Sequence, residues 1–304
     1  MNNLGYKNLL FILPFDHRSS FTKNMLGIHD RLPTPQETEK IKEEKEIIYE
    51  AFKKAVMESV PKEEAAILVD EEFGSQILLD AKKEGFTTIL TTEKSGKSEF
   101  DFEYGEAEFD HIKKYNPEFA KALIRYNPEG DKNLNIRQIE KLRALSDFCH
   151  GNGFKFLIEP LVIPTEEELK NSSQEEFDKN LRPGLTLKMM EELQNGGVEP
   201  DIWKLEGMET KKDYENAVNQ ARKNDRNNVG IIILGRGAEE PQVLHWLKTG
   251  ASVDGIVGFA VGRTVFWDPL VYFTSGQIKK EEAVEKISYN YQRFYKIFME
   301  AKKT

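Results

Sequence analysis

The chain has 304 residues, 39% hydrophobic and 31% charged, with a formal net charge of -9, a pI near 5.3 and a mean hydropathy of -0.58. This composition excludes a disordered or membrane-embedded chain, and the acidity argues against nucleic acid or an anionic membrane as the main partner. The single cysteine, Cys149, excludes an intrachain disulfide and a multi-cysteine zinc site, and fits a reducing, cytoplasmic setting.

In chain order, short β-rich runs alternate with longer helical stretches. The expected strands cover residues 9–15, 65–69, 87–91, 122–126, 154–158, 202–205, 230–234 and 255–259. Helical apolar spacing is expected over 35–60, 75–85, 106–116, 135–152, 183–196, 210–224, 238–249 and 279–302. The apolar run at 9–15 is too short to span a bilayer and lacks a cleavage-type sequel, so no signal peptide is expected. Residues 19–34 and 161–183 read as long loops, the second an excursion at the mouth of a barrel.

Continuous apolar strands separated by helices mean parallel strands covered by helices. Eight such units in one chain point to a single (β/α)8 TIM barrel over residues 1–304, of the α/β class. A doubly wound open sheet is the alternative. It is weakened by the first strand, which runs into Pro14-Phe15-Asp16-His17-Arg18 where a Gly-x-Gly-x-x-Gly turn belongs.

Within Asp201-Ile202-Trp203-Lys204-Leu205-Glu206-Gly207, a lysine stands where a buried strand normally carries an aliphatic residue. Alternation puts Ile202, Lys204 and Glu206 on one face and Trp203 and Leu205 on the other. Burying an ammonium is costly, and the neutral amine is a nucleophile toward carbonyl carbon. The bland alternative is a strand-end lysine reaching solvent.

Barrel chemistry sits at the C-terminal ends of the strands. There the sequence offers Asp16, His17 and Arg18; Asp70, Glu71 and Glu72; Glu93 and Lys94; Arg125 and Asn127; Glu159; Lys204 and Glu206; Gly235-Arg236-Gly237; and Gly262-Arg263. Glycines let backbone amides approach a phosphate, and arginine adds a forked cationic donor, so the last two loops suggest a phosphorylated ligand. The five histidines show no two-ligand helical spacing. Acids such as Asp16, Asp70 and Glu71 can hold magnesium but do not specify it, so neither metal nor cofactor is expected.

These residues carry a resemblance. Phe15-Asp16-His17-Arg18, Leu68-Val69-Asp70-Glu71-Glu72-Phe73-Gly74, Glu93-Lys94-Ser95-Gly96, Lys121, Glu159-Pro160, the 199–207 stretch, Ile233-Leu234-Gly235-Arg236-Gly237 and the 258–267 stretch occur in matching order. The chain resembles class I (Schiff-base) aldolases of the tagatose-1,6-bisphosphate aldolase-like superfamily. It is more similar still to the aldolase-type domain fused to the sugar kinase of bacterial myo-inositol catabolism.

The resemblance implies Lys204 as the Schiff-base lysine, Glu159 as the acid-base carboxylate, Lys121 as a second active-site lysine and Asp16 as the strand-one aspartate. It also implies Gly235, Arg236, Gly262 and Arg263 as phosphate loops, with His17, Arg18 and Arg125 as further substrate-binding candidates. His17 stands where the tagatose enzymes carry glutamine, and Gly235-Arg236-Gly237 replaces their serine-alanine-glycine run. The implied activity is cleavage of a phosphorylated keto sugar or keto sugar acid, with 2-deoxy-5-keto-gluconate 6-phosphate the leading candidate and a tagatose- or fructose-bisphosphate type the alternative. A catalytically silent sugar-phosphate-binding barrel is the reading from another class. The C-terminal helix is expected to pack on the barrel, its aromatic surplus also suiting a homo-oligomer contact.

Overall fold

The structure, a computed structural model, describes residues 4–303. Its strands are β1 (Leu10–Pro14), β2 (Ala65–Val69), β3 (Thr87–Thr91), β4 (Phe119–Tyr126), β5 (Lys155–Val162), β6 (Ile202–Glu206), β7 (Gly230–Leu234) and β8 (Ile256–Ala260). They pair in sequence order and in parallel, and β8 closes on β1. The open-sheet alternative is thereby excluded, and the single TIM barrel stands.

The helices are α1 (Pro35–Glu58), α2 (Glu71–Glu84), α3 (Glu108–Tyr115), α4 (Lys132–Gly151), α5 (Glu166–Asn171), α6 (Gln174–Glu176), α7 (Arg182–Asn195), α8 (Lys211–Ala221), α9 (Glu240–Ala251), α10 (Arg263–Thr274) and α11 (Lys280–Lys302). None among the described residues is long and apolar enough to cross a membrane.

Several corrections to the sequence reading bear on the site. β4 begins at Phe119 and β5 runs to Val162, so Lys121 and Glu159 sit inside strands. The 161–183 excursion is largely ordered: α5, α6 and a π-helical turn, Phe177–Leu181, lead into α7. The 19–34 loop likewise holds a π-helical turn, Ser20–Met25. Finally, α10 was missed, because its Pro269 and its β-branched and aromatic residues weaken the helical signal.

Helix α2 starts at Glu71, four residues ahead of expectation. Asp70 caps it by accepting from the Phe73 N–H (2.9 Å), and two acidic residues follow in the first turn. This removes Asp70 and Glu71 from the barrel mouth. The Asp70 carboxylate also pairs with the fully buried Lys45, while Glu71 accepts from Lys114 and Tyr115 and contacts His111. No cluster of metal-ligating side chains forms among the described residues.

The period-two alternation of the strands produces two apolar layers. Leu10, Ile12, Ala66, Leu68, Ile89, Phe119, Leu157, Ile202, Ile232, Val257 and Ala260 fill the barrel, with Tyr6 packed against them. The alternate residues, Trp203 and Leu205 among them, join the larger core between barrel and helices. Most of the aromatic surplus of α11 belongs to that core: Tyr291, Phe294 and Phe298 are fully buried, and the Tyr291 hydroxyl donates to the Phe11 carbonyl (2.6 Å). Tyr289 stays exposed.

Candidate active site

The site grows directly out of the barrel plug. Two residues beyond the plug residue on the same strand face stand Lys121 after Phe119, Glu159 after Leu157 and Lys204 after Ile202; Glu93 follows Ile89 by four and Asp16 follows Ile12 by four. Equal parity keeps all five on the barrel's inner face, one layer above the apolar filling. They line a cavity of about 190 Å³ together with His17, Arg18 and Arg125.

The polar contacts form a chain. Lys204 Nζ lies 2.7 Å from Glu159 Oε1, and the other oxygen of that carboxylate lies 3.0 Å from Lys121 Nζ. Lys121 reaches on to Asp16 Oδ2 (3.0 Å) and Glu93 Oε1 (2.6 Å). Asp16 also accepts from the Thr91 hydroxyl (2.7 Å), and Glu93 from the Leu123 N–H (3.1 Å).

Charge and burial oppose one another here. Burial alone would discharge Lys121, but Asp16, Glu159 and Glu93 outweigh it and hold the ammonium well above the ordinary lysine range. Burial would raise Asp16 and Glu159. Lys121 overcomes it in both, assisted by His17 and Lys204 at Asp16 and by Lys204 at Glu159, so both carboxyls sit below the usual range. At Glu93 burial wins, and its carboxyl is raised. Burial pushes the His17 imidazole down to about 4 against the pull of Asp16, leaving it neutral at pH 7. His17 Nδ1 is buried without a hydrogen bond, 3.9 Å from Asp16 Oδ1.

The arginines divide. The buried Arg18 spends its guanidinium on the Glu93 carbonyl and the Glu103 carboxylate, so it braces the β3 loop. Arg125 lines the cavity and donates to the Lys97 carbonyl (2.6 Å). Arg236, in the left-handed region at φ 52°, is bound by Glu206 (2.7 Å) and by Asp178 of the ordered 161–183 segment. Arg263 packs against Gly237, where a Cβ would lie 2.2 Å from its Nη2. Gly262 is likewise needed, since a Cβ there would lie 2.4 Å from the Pro14 carbonyl oxygen.

Gly235, Arg236, Gly262 and Arg263 lie outside the lining of the central cavity. Gly237 and Arg263 border a neighbouring hollow with Asn24, Thr264 and Trp267. Sequence reasoning assigned no role to Glu93, Thr91 or Asp178. The parity of Ile89, Thr91 and Glu93 was the available signal for the first two. Asp178 pairs with Arg182 at i,i+4, a spacing open to sequence reading, but its contact with Arg236 had no signal, because Arg236 comes from a different βα unit.

A family described as an uncharacterized protein conserved in bacteria (DUF2090) matches residues 3–302. The chain belongs to this family. Among curated proteins, no sequence matches the DUF2090 chain. Among solved structures it is similar to fructose-bisphosphate aldolase from Plasmodium falciparum, at 12% identity and a TM-score of 0.63 over 94% of this chain and 89% of that one. A Schiff-base-forming fructose-1,6-bisphosphate aldolase aligns at 14% identity and a TM-score of 0.56, covering 95% of each chain. A structural-genomics protein of Corynebacterium glutamicum aligns at 14% identity and 0.58, over 95% of this chain and 88% of the other. At these identities the DUF2090 barrel shares a fold with the aldolases.

Proposed function

We propose that the chain is a class I aldolase that cleaves a phosphorylated keto sugar or keto sugar acid through an imine on Lys204. The observation that carries this reading is the contact between Lys204 and Glu159 inside a buried cavity, with Lys121 and Asp16 continuing the proton-holding chain. The fold shared with Schiff-base-forming aldolases supports it.

The chemistry follows from these positions. The neutral Lys204 amine attacks the ketone carbon, forming an N–C bond as the carbonyl oxygen takes up a proton. Glu159, in contact with both lysines, takes up the proton that Lys204 gives up to become a nucleophile and then delivers it to the resulting hydroxyl, which leaves as water. The protonated imine is an electron sink. A base removes the proton of the hydroxyl two carbons away, the intervening C–C bond breaks, and its electron pair passes into the imine to give an enamine while an aldehyde departs. Asp16, held ionised by Lys121, suits the role of that base or its helper. A proton returned to the enamine carbon and addition of water then release the ketone half and Lys204.

The phosphate is assigned to the loops of Gly235, Arg236, Gly262 and Arg263, with Arg236 exchanging its contacts to Glu206 and Asp178 for the phosphate. Arg263 opens α10, whose first N–H groups lack a side-chain cap. The leading substrate is 2-deoxy-5-keto-gluconate 6-phosphate, split to dihydroxyacetone phosphate and malonate semialdehyde. Its carboxylate would meet Arg125, since Arg18 is committed to Glu93 and Glu103. A ketose bisphosphate of the tagatose or fructose type is the alternative.

The test is intact-mass spectrometry and peptide mapping after incubation with dihydroxyacetone phosphate and sodium borohydride. A reduced adduct on Lys204, missing from Lys204→Met, supports the imine. Repeating the trap with the keto-deoxy sugar acid phosphate and with a ketose bisphosphate assigns the substrate. No adduct with any of them would sink the aldolase reading in favour of a silent sugar-phosphate-binding barrel.

A further inference from the structure

We propose that Glu93 selects the nucleophile of this site: by completing a cage of three carboxylates around Lys121 it denies that lysine a free lone pair and leaves Lys204 as the amine that can react. The proposal rests on the Schiff-base reading above and extends it to a residue with no assigned role.

The two lysines are comparably buried and face the same cavity, so depth alone does not choose between them. Their partners differ. Lys121 Nζ has three carboxylate oxygens around it, Glu93 Oε1 at 2.6 Å, Asp16 Oδ2 at 3.0 Å and Glu159 Oε2 at 3.0 Å. An ammonium has three N–H donors, one for each. The neutral amine has two donors and a lone pair, and that lone pair would have to face an anionic oxygen. Among the described residues, Lys204 Nζ has a single carboxylate contact, Glu159 Oε1. Loss of one proton to that neighbour frees its lone pair toward the cavity.

Glu93 is the nearest of the three, and it is fixed at both ends. Its second carboxylate oxygen accepts from the Leu123 N–H, and its main-chain carbonyl accepts from Arg18. Swinging the carboxylate away would break the Leu123 hydrogen bond as well as the Lys121 contact. The charged and titratable groups that face Lys121 are therefore Asp16 from the end of β1, with His17 beside it, Glu93 from beyond β3 and Glu159 from β5, with Lys204 of β6 on the far side of Glu159. Asp16 and Glu159 also touch other groups that the chemistry uses. Glu93 touches Lys121 and the backbone, so it is a positioning residue that acts through Lys121.

The experiment needs no sugar substrate. The full chain and Glu93→Gln are treated at pH 7 with formaldehyde and sodium cyanoborohydride, which methylate a neutral amine through a formaldehyde imine, and labelling at Lys121 and Lys204 is followed by peptide mass spectrometry. Glutamine keeps an acceptor for Leu123 and removes the charge. The expected result is a rise of about tenfold in the Lys121-to-Lys204 labelling ratio, because one of the three opposite charges that hold the Lys121 proton is gone. An unchanged ratio in a variant with native circular dichroism overturns the proposal. Should Glu93→Gln not fold, the unaltered chain still decides: Lys121 must label more slowly than Lys204, and equal rates overturn the idea. Failure of the aldolase reading looks different, as the absence of any sugar-phosphate adduct on Lys204 in the unaltered chain.

Discussion

Lys204 and Glu159 stand on adjacent barrel strands with their charged ends 2.7 Å apart, although 45 residues separate them in the chain. The β5–β6 register pairs Leu157 with Ile202, and two residues further along each strand the same face carries the carboxylate and the amine. Glu159 is thus positioned by the same hydrogen-bond ladder that positions Lys204. Glu159→Gln keeps this packing and removes the transferable proton. We expect turnover to fall by roughly 10²–10⁴-fold, the usual contribution of a positioned acid-base group. Stopped-time borohydride trapping should show slow accumulation of the Lys204 adduct. An unchanged trapping rate would remove Glu159 from the proton path.

Gly237 gives a second test, aimed at the outer loops. Its φ is 73°, and a Cβ would lie 2.2 Å from Arg263 Nη2. Gly237→Ala combines a left-handed backbone penalty with displacement of the guanidinium. The expected cost is about 1–2 kcal/mol in urea unfolding. If Arg263 holds a substrate phosphate, KM for the phosphorylated substrate rises more than kcat falls, and steady-state kinetics separate the two.

Lys45 and Asp70 form an ion pair buried between α1 and the start of α2. Lys45 also donates to the Phe15 carbonyl (2.8 Å), one residue before Asp16. Lys45→Met would leave the Asp70 carboxylate buried and unpaired, at a cost of roughly 3–5 kcal/mol. The urea midpoint measures this, and a shift of less than 1 kcal/mol (about a fifth to a third of that range) would show that the pair is not structural.

Glu108 sets a pH dependence of stability away from the cavity. Burial raises its carboxyl to about 8, despite the Tyr104 N–H that it accepts at 2.9 Å. A raised acid binds its proton more tightly folded than unfolded. Its favourable contribution is therefore fully present below the unfolded value of about 4.3, declines as pH rises, and is gone above the folded value of about 8. Glu108→Gln, which cannot ionise, should match the unaltered chain near pH 4 and exceed it above pH 8, by up to roughly 5 kcal/mol. Urea unfolding at the two pH values checks this, and an equal difference at both would contradict it.

The fold was legible because a parallel barrel writes itself as repetition. Eight apolar runs, each followed by a helical stretch, leave few other closed arrangements, and every expected strand overlaps an observed one. Of the residues that line the cavity, Lys204 was the one that the strand pattern itself singled out. A lysine at 204 interrupts an apolar strand where alternation demands an inward side chain, whereas Lys121 and Glu159 fell just outside the expected strands and were named by the resemblance. What failed were local boundaries: the first turn of α2, which follows the Asp70 cap, and α10, whose residues favour strands in isolation.

The sequence by itself determined the barrel and the inward lysine of β6, because period-two alternation is a property of each strand alone and needs no partner. Only the tertiary structure decided how the charges of the site are shared. That Glu93 closes on Lys121, that Arg18 braces Glu93, and that Arg236 is held by Glu206 and Asp178 depend on strand register and loop path across different βα units. Coulombic and hydrogen-bond energies in a buried site change within an ångström, and distances of that kind do not exist until the barrel closes.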